Sequence, residues 1–176
     1  MRYQELLDEY RQLLQRDVQL RQQMQAIPKG YIVTKRISGK EYYYLQYSVQ
    51  GKKKSEYIHH QDLAAIKTAI ANREPIRQEI ERNRAEQERL EGAVRILDTS
   101  LYRLFWCLKQ CAEMDAMPIT KRPHALSFAK AMTALEGVPA QEETEIGLQL
   151  WSIGAKSFAD VYLRALHKYG IVEVAQ

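Results

Sequence analysis

The chain has 176 residues, 45% hydrophobic and 27% charged, with a net charge of +4. That balance suits a folded, largely helical protein and excludes a disordered or collagen-like one. No apolar run approaches the roughly 20 residues that a membrane helix needs, so no membrane partner is expected. The N-terminus, Met1-Arg2-Tyr3-Gln4-Glu5, carries no apolar leader segment, and a cytoplasmic location is the expectation.

Apolar residues at Leu6, Leu7, Tyr10, Leu13, Leu14, Val18, Leu20 and Met24 recur at helical spacing and predict an amphipathic helix over 2–26. Pro28 and Gly30 end it. Three β-prone runs follow: 31–37, 41–49 and 53–58. The glycine turns Ser38-Gly39-Lys40 and Gln50-Gly51-Lys52 separate them, which predicts a three-stranded antiparallel meander. Helical periodicity returns from about Gln61, with Pro75 placed to kink or divide the segment. Residues 77–91 are dense in charge, and Arg77–Glu81 and Arg84–Glu88 have i,i+4 spacing. This stretch reads as a long, wet helix returning along helix one.

Asp98, Thr99 or Ser100 can cap the next helix, Leu101 to Asp115, which Pro118 ends. Cys107 and Cys111 lie four apart on it and read as buried or half-buried thiols. Three short helices complete the chain, at about 119–136, 141–153 and 158–169. Their apolar residues, Phe128, Met132, Leu135, Leu148, Leu150, Trp151, Phe158, Val161 and Leu166, are the expected core of a three-helix unit. The expected fold class is therefore mainly α with a small three-stranded antiparallel meander (α+β). It divides into a helix–meander–long-helix part, 1–97, and a helical part, 98–176.

One residue stands against its local preference. Glu136 falls in the last turn of the 119–136 helix, just before the helix-stopping Gly137, where the helix dipole disfavours a carboxylate. The string Ala131-Met132-Thr133-Ala134-Leu135-Glu136-Gly137, followed by a helix, Gly154 and Ser157-Phe158-Ala159-Asp160-Val161, resembles the VbhA-like antitoxins, small helical partners of Fic-domain toxins. The resemblance covers roughly 119–170. It implies a non-enzymatic antitoxin. Fic toxins transfer AMP from ATP to protein hydroxyls, and the family's motif glutamate pairs with an arginine that otherwise holds the ATP phosphates. Glu136 matches that glutamate, and a carboxylate suits the planar, bidentate pairing that arginine offers. Met132 stands where the family carries Ser or Thr, and Thr133 points about 100° away around the helix. Met132 and Leu135 can pack either on the toxin or in the core of the unit.

A second feature lies in the meander. Between residues 29 and 60, Lys29, Lys35, Arg36, Lys40, Lys52, Lys53 and Lys54 face only Glu41 and Glu56, with six tyrosines interleaved. Strand alternation places Tyr42, Tyr44 and Gln46 on one face and Tyr43, Leu45 and Tyr47 on the other. Lysines and tyrosines on a sheet suit nucleic acid, so DNA binding through 31–57 is the alternative function. In architecture the meander is similar to the arm-binding sheets of phage and transposon integrases. An edge-protected basic sheet that braces the helices is the plainer alternative. His59-His60 read as strand-end surface residues. The chain has no phosphate loop, Gly-x-Ser-x-Gly or paired-histidine metal motif, so no enzyme, metal or cofactor is expected.

Overall fold

The computed structural model describes residues 3–135 and 141–168. The elements run α1 (Tyr3–Ala26), β1 (Tyr31–Ile37), β2 (Lys40–Val49), β3 (Lys52–Ile58), α2 (His60–Ala71), α3 (Arg73–Leu97), α4 (Thr99–Ala116), a short 3-10 turn (Ile119–Lys121), α5 (Arg122–Leu135), α6 (Glu142–Ser152) and α7 (Phe158–Lys168). The fold is mainly α with one antiparallel sheet of order β1-β2-β3. Among the described residues no helix is long and apolar enough to cross a membrane. The 97/98 division expected from the sequence falls at the α3–α4 boundary. Compactness groups the chain differently: residues 20–82 form one unit, and 1–19 with 83–176 form the other.

In the 20–82 unit, two tight turns fix the sheet. Ser38-Gly39 and Gln50-Gly51 all take positive φ, as a two-residue type I′ turn requires. The turns are one residue shorter than the sequence suggests, so Lys40 and Lys52 enter the strands opposite Ile37 and Val49. Gly30 brings the chain into β1 with φ +108°, where an added Cβ would lie 2.0 Å from the Gln46 carbonyl oxygen. Arg73, at the start of α3, donates to the carbonyls of Gly30 (3.1 Å) and Pro28, tying this entry loop down. Pro75 sits in the first turn of α3, where a missing N–H costs nothing, and the α2–α3 break falls at Asn72.

The other unit has two contiguous cores. In the first, α1, α3, α4 and α7 bury Tyr10, Leu14, Leu90, Val94, Phe105, Leu108, Ala112 and Leu163. The Tyr10 and Phe105 rings stack at 3.9 Å. The Tyr10 hydroxyl donates to Glu91 at 2.6 Å, and Lys109 bonds the same carboxylate oxygen at 2.8 Å. Burial, then the Glu91 carboxylate, push the Tyr10 pKa far above the usual tyrosine range. Arg77 bonds Glu74 and Arg84 faces the buried Asp17 at 3.8 Å. The hydrogen-bonded partner of Arg77 is therefore one turn back and the ion-pair partner of Arg84 is on a packed neighbour, in place of the i,i+4 pairs expected along α3.

The second core joins Leu126, Trp151 and Val161, with Met114, Leu148 and Phe158 packed against it. Its polar anchor is Arg122, only 4% exposed. The guanidinium donates to the carbonyls of Met117 (3.1 Å), Trp151 (3.1 Å) and Asp115, and lies over the Trp151 ring at 5.4 Å. Those carbonyls lie at or next to the C-terminal ends of α4 and α6, where helices leave acceptors unpaired and the dipole favours a cation. The Asp115 carboxylate in turn accepts the Phe158 N–H at the start of α7 at 2.7 Å. Cys111 is buried and Cys107 half-buried. Burial, assisted by Asp115, pushes the Cys111 thiol up to about 12, so it stays protonated and inert.

Arg122→Leu removes a buried donor shared by these three carbonyls, and is expected to cost about 3–5 kcal/mol in chemical denaturation. Burial also raises the Asp115 carboxyl pKa, against the lowering effects of the Phe158 N–H and Arg122. A raised acid binds more protons folded than unfolded, so its contribution to stability falls as pH rises from the unfolded value of about 3.9 through the folded one. Asp115→Asn should therefore gain on the native chain as pH rises across that window. Urea titrations at several acidic pH values measure it, and a constant difference refutes it.

Candidate functional site

Two surfaces carry the residues singled out by sequence, one in each compact unit. The first is the outer side of α5. Arg122 and Leu126, one turn apart, face inward. Positions 128, 132 and 135 cluster roughly opposite Leu126, at 100° per residue. Phe128, Met132 and Leu135 are accordingly 66%, 43% and 83% exposed. This corrects the expectation that they belong to the core of the helical unit. Leu126 takes that place, while Trp151, Val161, Leu148 and Phe158 stand where expected.

The result is an apolar stripe on a helix described as far as Leu135, the residue directly before Glu136 in the chain. Glu136 and Gly137 lie outside the described residues. Thr133 donates its hydroxyl to the carbonyls of Ala129 (3.2 Å) and Lys130 (3.1 Å), so it is bonded into its own helix. Lys130 pairs with Glu145 of α6 at 2.9 Å, steadying α5 beside the stripe. After α6, Gly154 at φ +79° reverses the chain, and its N–H bonds the Trp151 carbonyl at 2.9 Å. An added Cβ there would meet Ile119 Cδ1 at 3.0 Å. Ser157 then caps α7 through the Asp160 N–H.

The second surface is the sheet. Its register resolves the basic residues into two faces, since residues opposite one another in an antiparallel pair share a face. Tyr42 and Tyr44 align with Lys35 and Val33 on β1, and Tyr44 aligns with Tyr57 on β3. Lys40 and Lys53 belong to this same face by alternation. Arg36, Lys52 and Lys54 fall on the other face with both glutamates, Glu41 and Glu56. Sequence reasoning grouped all eight candidates; the register separates Lys35, Lys40, Tyr42, Tyr44 and Lys53 from Arg36, Lys52 and Lys54.

The glutamate face is the packed one. Ile58, opposite Tyr43, is buried, and Tyr43 meets His60 edge-on and lies beneath Lys67 of α2. Tyr43 and Tyr47 donate their hydroxyls to Glu41 and Glu56, and these hydrogen bonds are the main cause raising both tyrosine pKa values. Arg36 pairs with Glu41 at 3.4 Å. On the opposite face Tyr31 and Tyr57 are 56% and 48% exposed. Tyr57 meets Tyr44 and His59 edge-on, and Lys35 Nζ stands 4.7 Å above the Tyr44 ring. His59 and His60 thus diverge to opposite faces. Among the described residues no group of three or more His, Cys, Asp and Glu side chains could hold a metal.

If the α5 stripe is surface and not core, Phe128→Ser with Leu135→Ser should move stability by no more than about 0.5 kcal/mol. Trp151→Ala, in the packed core beneath, should cost about 3–5 kcal/mol. Thermal and urea denaturation of the two variants side by side tests the contrast.

The sequence profile of a family described as a domain of unknown function (DUF6788) matches residues 2–68, which takes in α1, the whole sheet and most of α2. No curated protein and no solved structure matches the chain.

Proposed function

We propose that the protein is an antitoxin that binds a Fic-family AMP-transferase and blocks productive ATP placement through Glu136. The observation that carries this reading is the exposed stripe Phe128–Met132–Leu135, which runs down α5 to the motif glutamate. Large apolar side chains cost free energy when left in water, and a line of them on one helix face suits a groove in a protein partner. The helix, glycine turn and closing helix after the motif agree in order with the resemblance described above. A leucine and a methionine at these positions would anchor the helix by burial. The glutamate would supply the charge that competes with ATP phosphate for arginine, at an energy of several kcal/mol in a desolvated site. Met132 in place of the family's hydroxyl residue replaces a polar contact with an apolar one, consistent with an interface driven by area.

The test is affinity capture of the tagged chain from its native host with nuclease present, followed by AMP-transfer assays on whatever is recovered. A Fic-domain protein at stoichiometric level is expected. Adding the chain should suppress its AMP transfer, and Glu136→Gly should restore transfer while complex formation persists. Phe128→Ser with Leu135→Ser should weaken the complex by about tenfold or more. Capture without a Fic-domain protein, or undiminished inhibition by Glu136→Gly, overturns the reading.

A further inference from the structure

We infer that the groove between α1, α6 and α7 binds the phosphate chain of a small polyanionic ligand. The groove has two lobes, and Glu143, Lys156, Arg164 and Lys168 line both. The wider lobe, about 830 Å³, adds Arg11 from α1 and Asp160, Leu163 and His167 from α7. Its volume falls within the roughly 300–1,000 Å³ usual for small-ligand sites. The narrower lobe, about 140 Å³, runs between α6 and α7 past Ile146, Gly147 and Val161.

Packing on either side of α7 builds this groove. Leu163 is buried in the core that holds Tyr10 and Leu14 of α1, which brings α7 up to that helix and to Arg11. On the other side, Gly147 lets α6 approach closely: an added Cβ there would meet Val161 Cγ1 at 3.0 Å. The turn after α6 carries Lys156 into the same wall. Arg11, Lys156 and Arg164 thus converge from three separate segments of the chain onto a groove that Val161 and Leu163, both buried, help to line.

Charge identifies the ligand. His167 and Lys168 stand in the last turn of α7, where the helix dipole favours cations, and Lys168 pairs with Glu143 at 3.3 Å. Those two have a local use. Arg11, Lys156 and Arg164 do not: among the described residues none of the three side chains has a hydrogen-bond or ion-pair partner. Arg11 and Lys156 are half-buried as well, so each has given up part of its hydration without a counter-charge. The remaining carboxylate, Asp160, is exposed in the first turn of α7, where the dipole favours it. An anion that meets several of these cations at once offsets both their lost hydration and their mutual repulsion. A phosphate chain suits the set, because its oxygens accept the planar fork of arginine and the point charge of lysine, and its charge is spread over several groups as the cations are. The apolar residues in the walls lower the local dielectric and strengthen that pairing.

The experiment is calorimetric titration of the full chain with inorganic phosphate, tripolyphosphate and ATP, without divalent cations. Tripolyphosphate should bind at least about tenfold more tightly than inorganic phosphate, since it reaches several cations at once. Arg11→Gln with Lys156→Gln and Arg164→Gln should weaken tripolyphosphate binding by about tenfold or more. Lys52→Gln with Lys53→Gln and Lys54→Gln, which removes the same charge from the sheet, should change it by no more than about threefold. Melting curves confirm that both triples are folded. Arg164→Gln alone, at an exposed position, should still cost about threefold or more, so the test does not hang on the triple. Tighter binding of ATP than of tripolyphosphate supports the proposal with a nucleotide as the source of the chain; equal or weaker binding supports it with the chain alone. Equal losses from the two triples overturn it, because net charge then accounts for binding. So does inorganic phosphate binding as tightly as tripolyphosphate, or no saturation by any probe below about 1 mM. None of these readouts involves a toxin, so this inference and the antitoxin reading fail separately.

Discussion

The buried Arg122 guanidinium is the interaction on which the C-terminal helices depend. A planar fork with five donors is well suited to acceptors that lie close together but belong to different helices. In this chain those acceptors are the Met117 and Asp115 carbonyls at the end of α4 and the Trp151 carbonyl at the end of α6. Without Arg122 all three would lose a donor in an apolar setting, and the Trp151 carbonyl would keep the Gly154 N–H. With it, they fix where α5 begins relative to both helices. Asp115 extends the junction to the start of α7 through the Phe158 N–H, so four helices meet at one pair of side chains.

This junction also decides what α5 shows to its surroundings. Once Arg122 is turned inward, helical geometry turns Leu126 inward with it and turns Phe128, Met132 and Leu135 outward. The exposed stripe is therefore a consequence of the buried arginine and not of weak packing. The sheet follows a similar logic. Ile58 and Tyr43 anchor one face, and the alternation of strands then commits the glutamates to that face and three lysines to the other. In both cases an inward anchor sets the chemistry of the outward side.

Much of this was legible in the sequence. The meander was, because glycine turns and β-branched or aromatic runs act locally, and strand alternation put Tyr42 and Tyr44 on one face without further information. A cap within 98–100 was equally local, and of Asp98, Thr99 and Ser100 the structure selects Asp98, whose carboxylate accepts the N–H groups of Ser100 and Leu101 at 2.8 and 2.9 Å. The buried side of α5 was not legible. Ala125, Leu126, Phe128, Ala129, Ala131, Met132, Ala134 and Leu135 make both of its sides apolar, so periodicity offers two solutions. The residue that chooses between them is a charged one, which sequence reasoning places on the surface by default. The expected partners of Arg77 and Arg84 were missed for two different reasons: Arg77 turns back to Glu74 at i−3 on its own helix, and Arg84 faces Asp17 on another helix, which spacing along one helix cannot count.

The two surfaces belong to different compact units, and the family profile ends at residue 68, well before α5. The profile thus includes the tyrosine–lysine face without the stripe or Glu136. Within 2–68 the sheet face concentrates exposed aromatic and cationic side chains with no counter-charge beside them. Self-repulsion among lysines on a small sheet works against folding. An inhibitor helix, by contrast, needs no basic sheet. The lysine-bearing sheet face and the apolar stripe on α5 therefore differ in chemistry, each set by an inward anchor of its own.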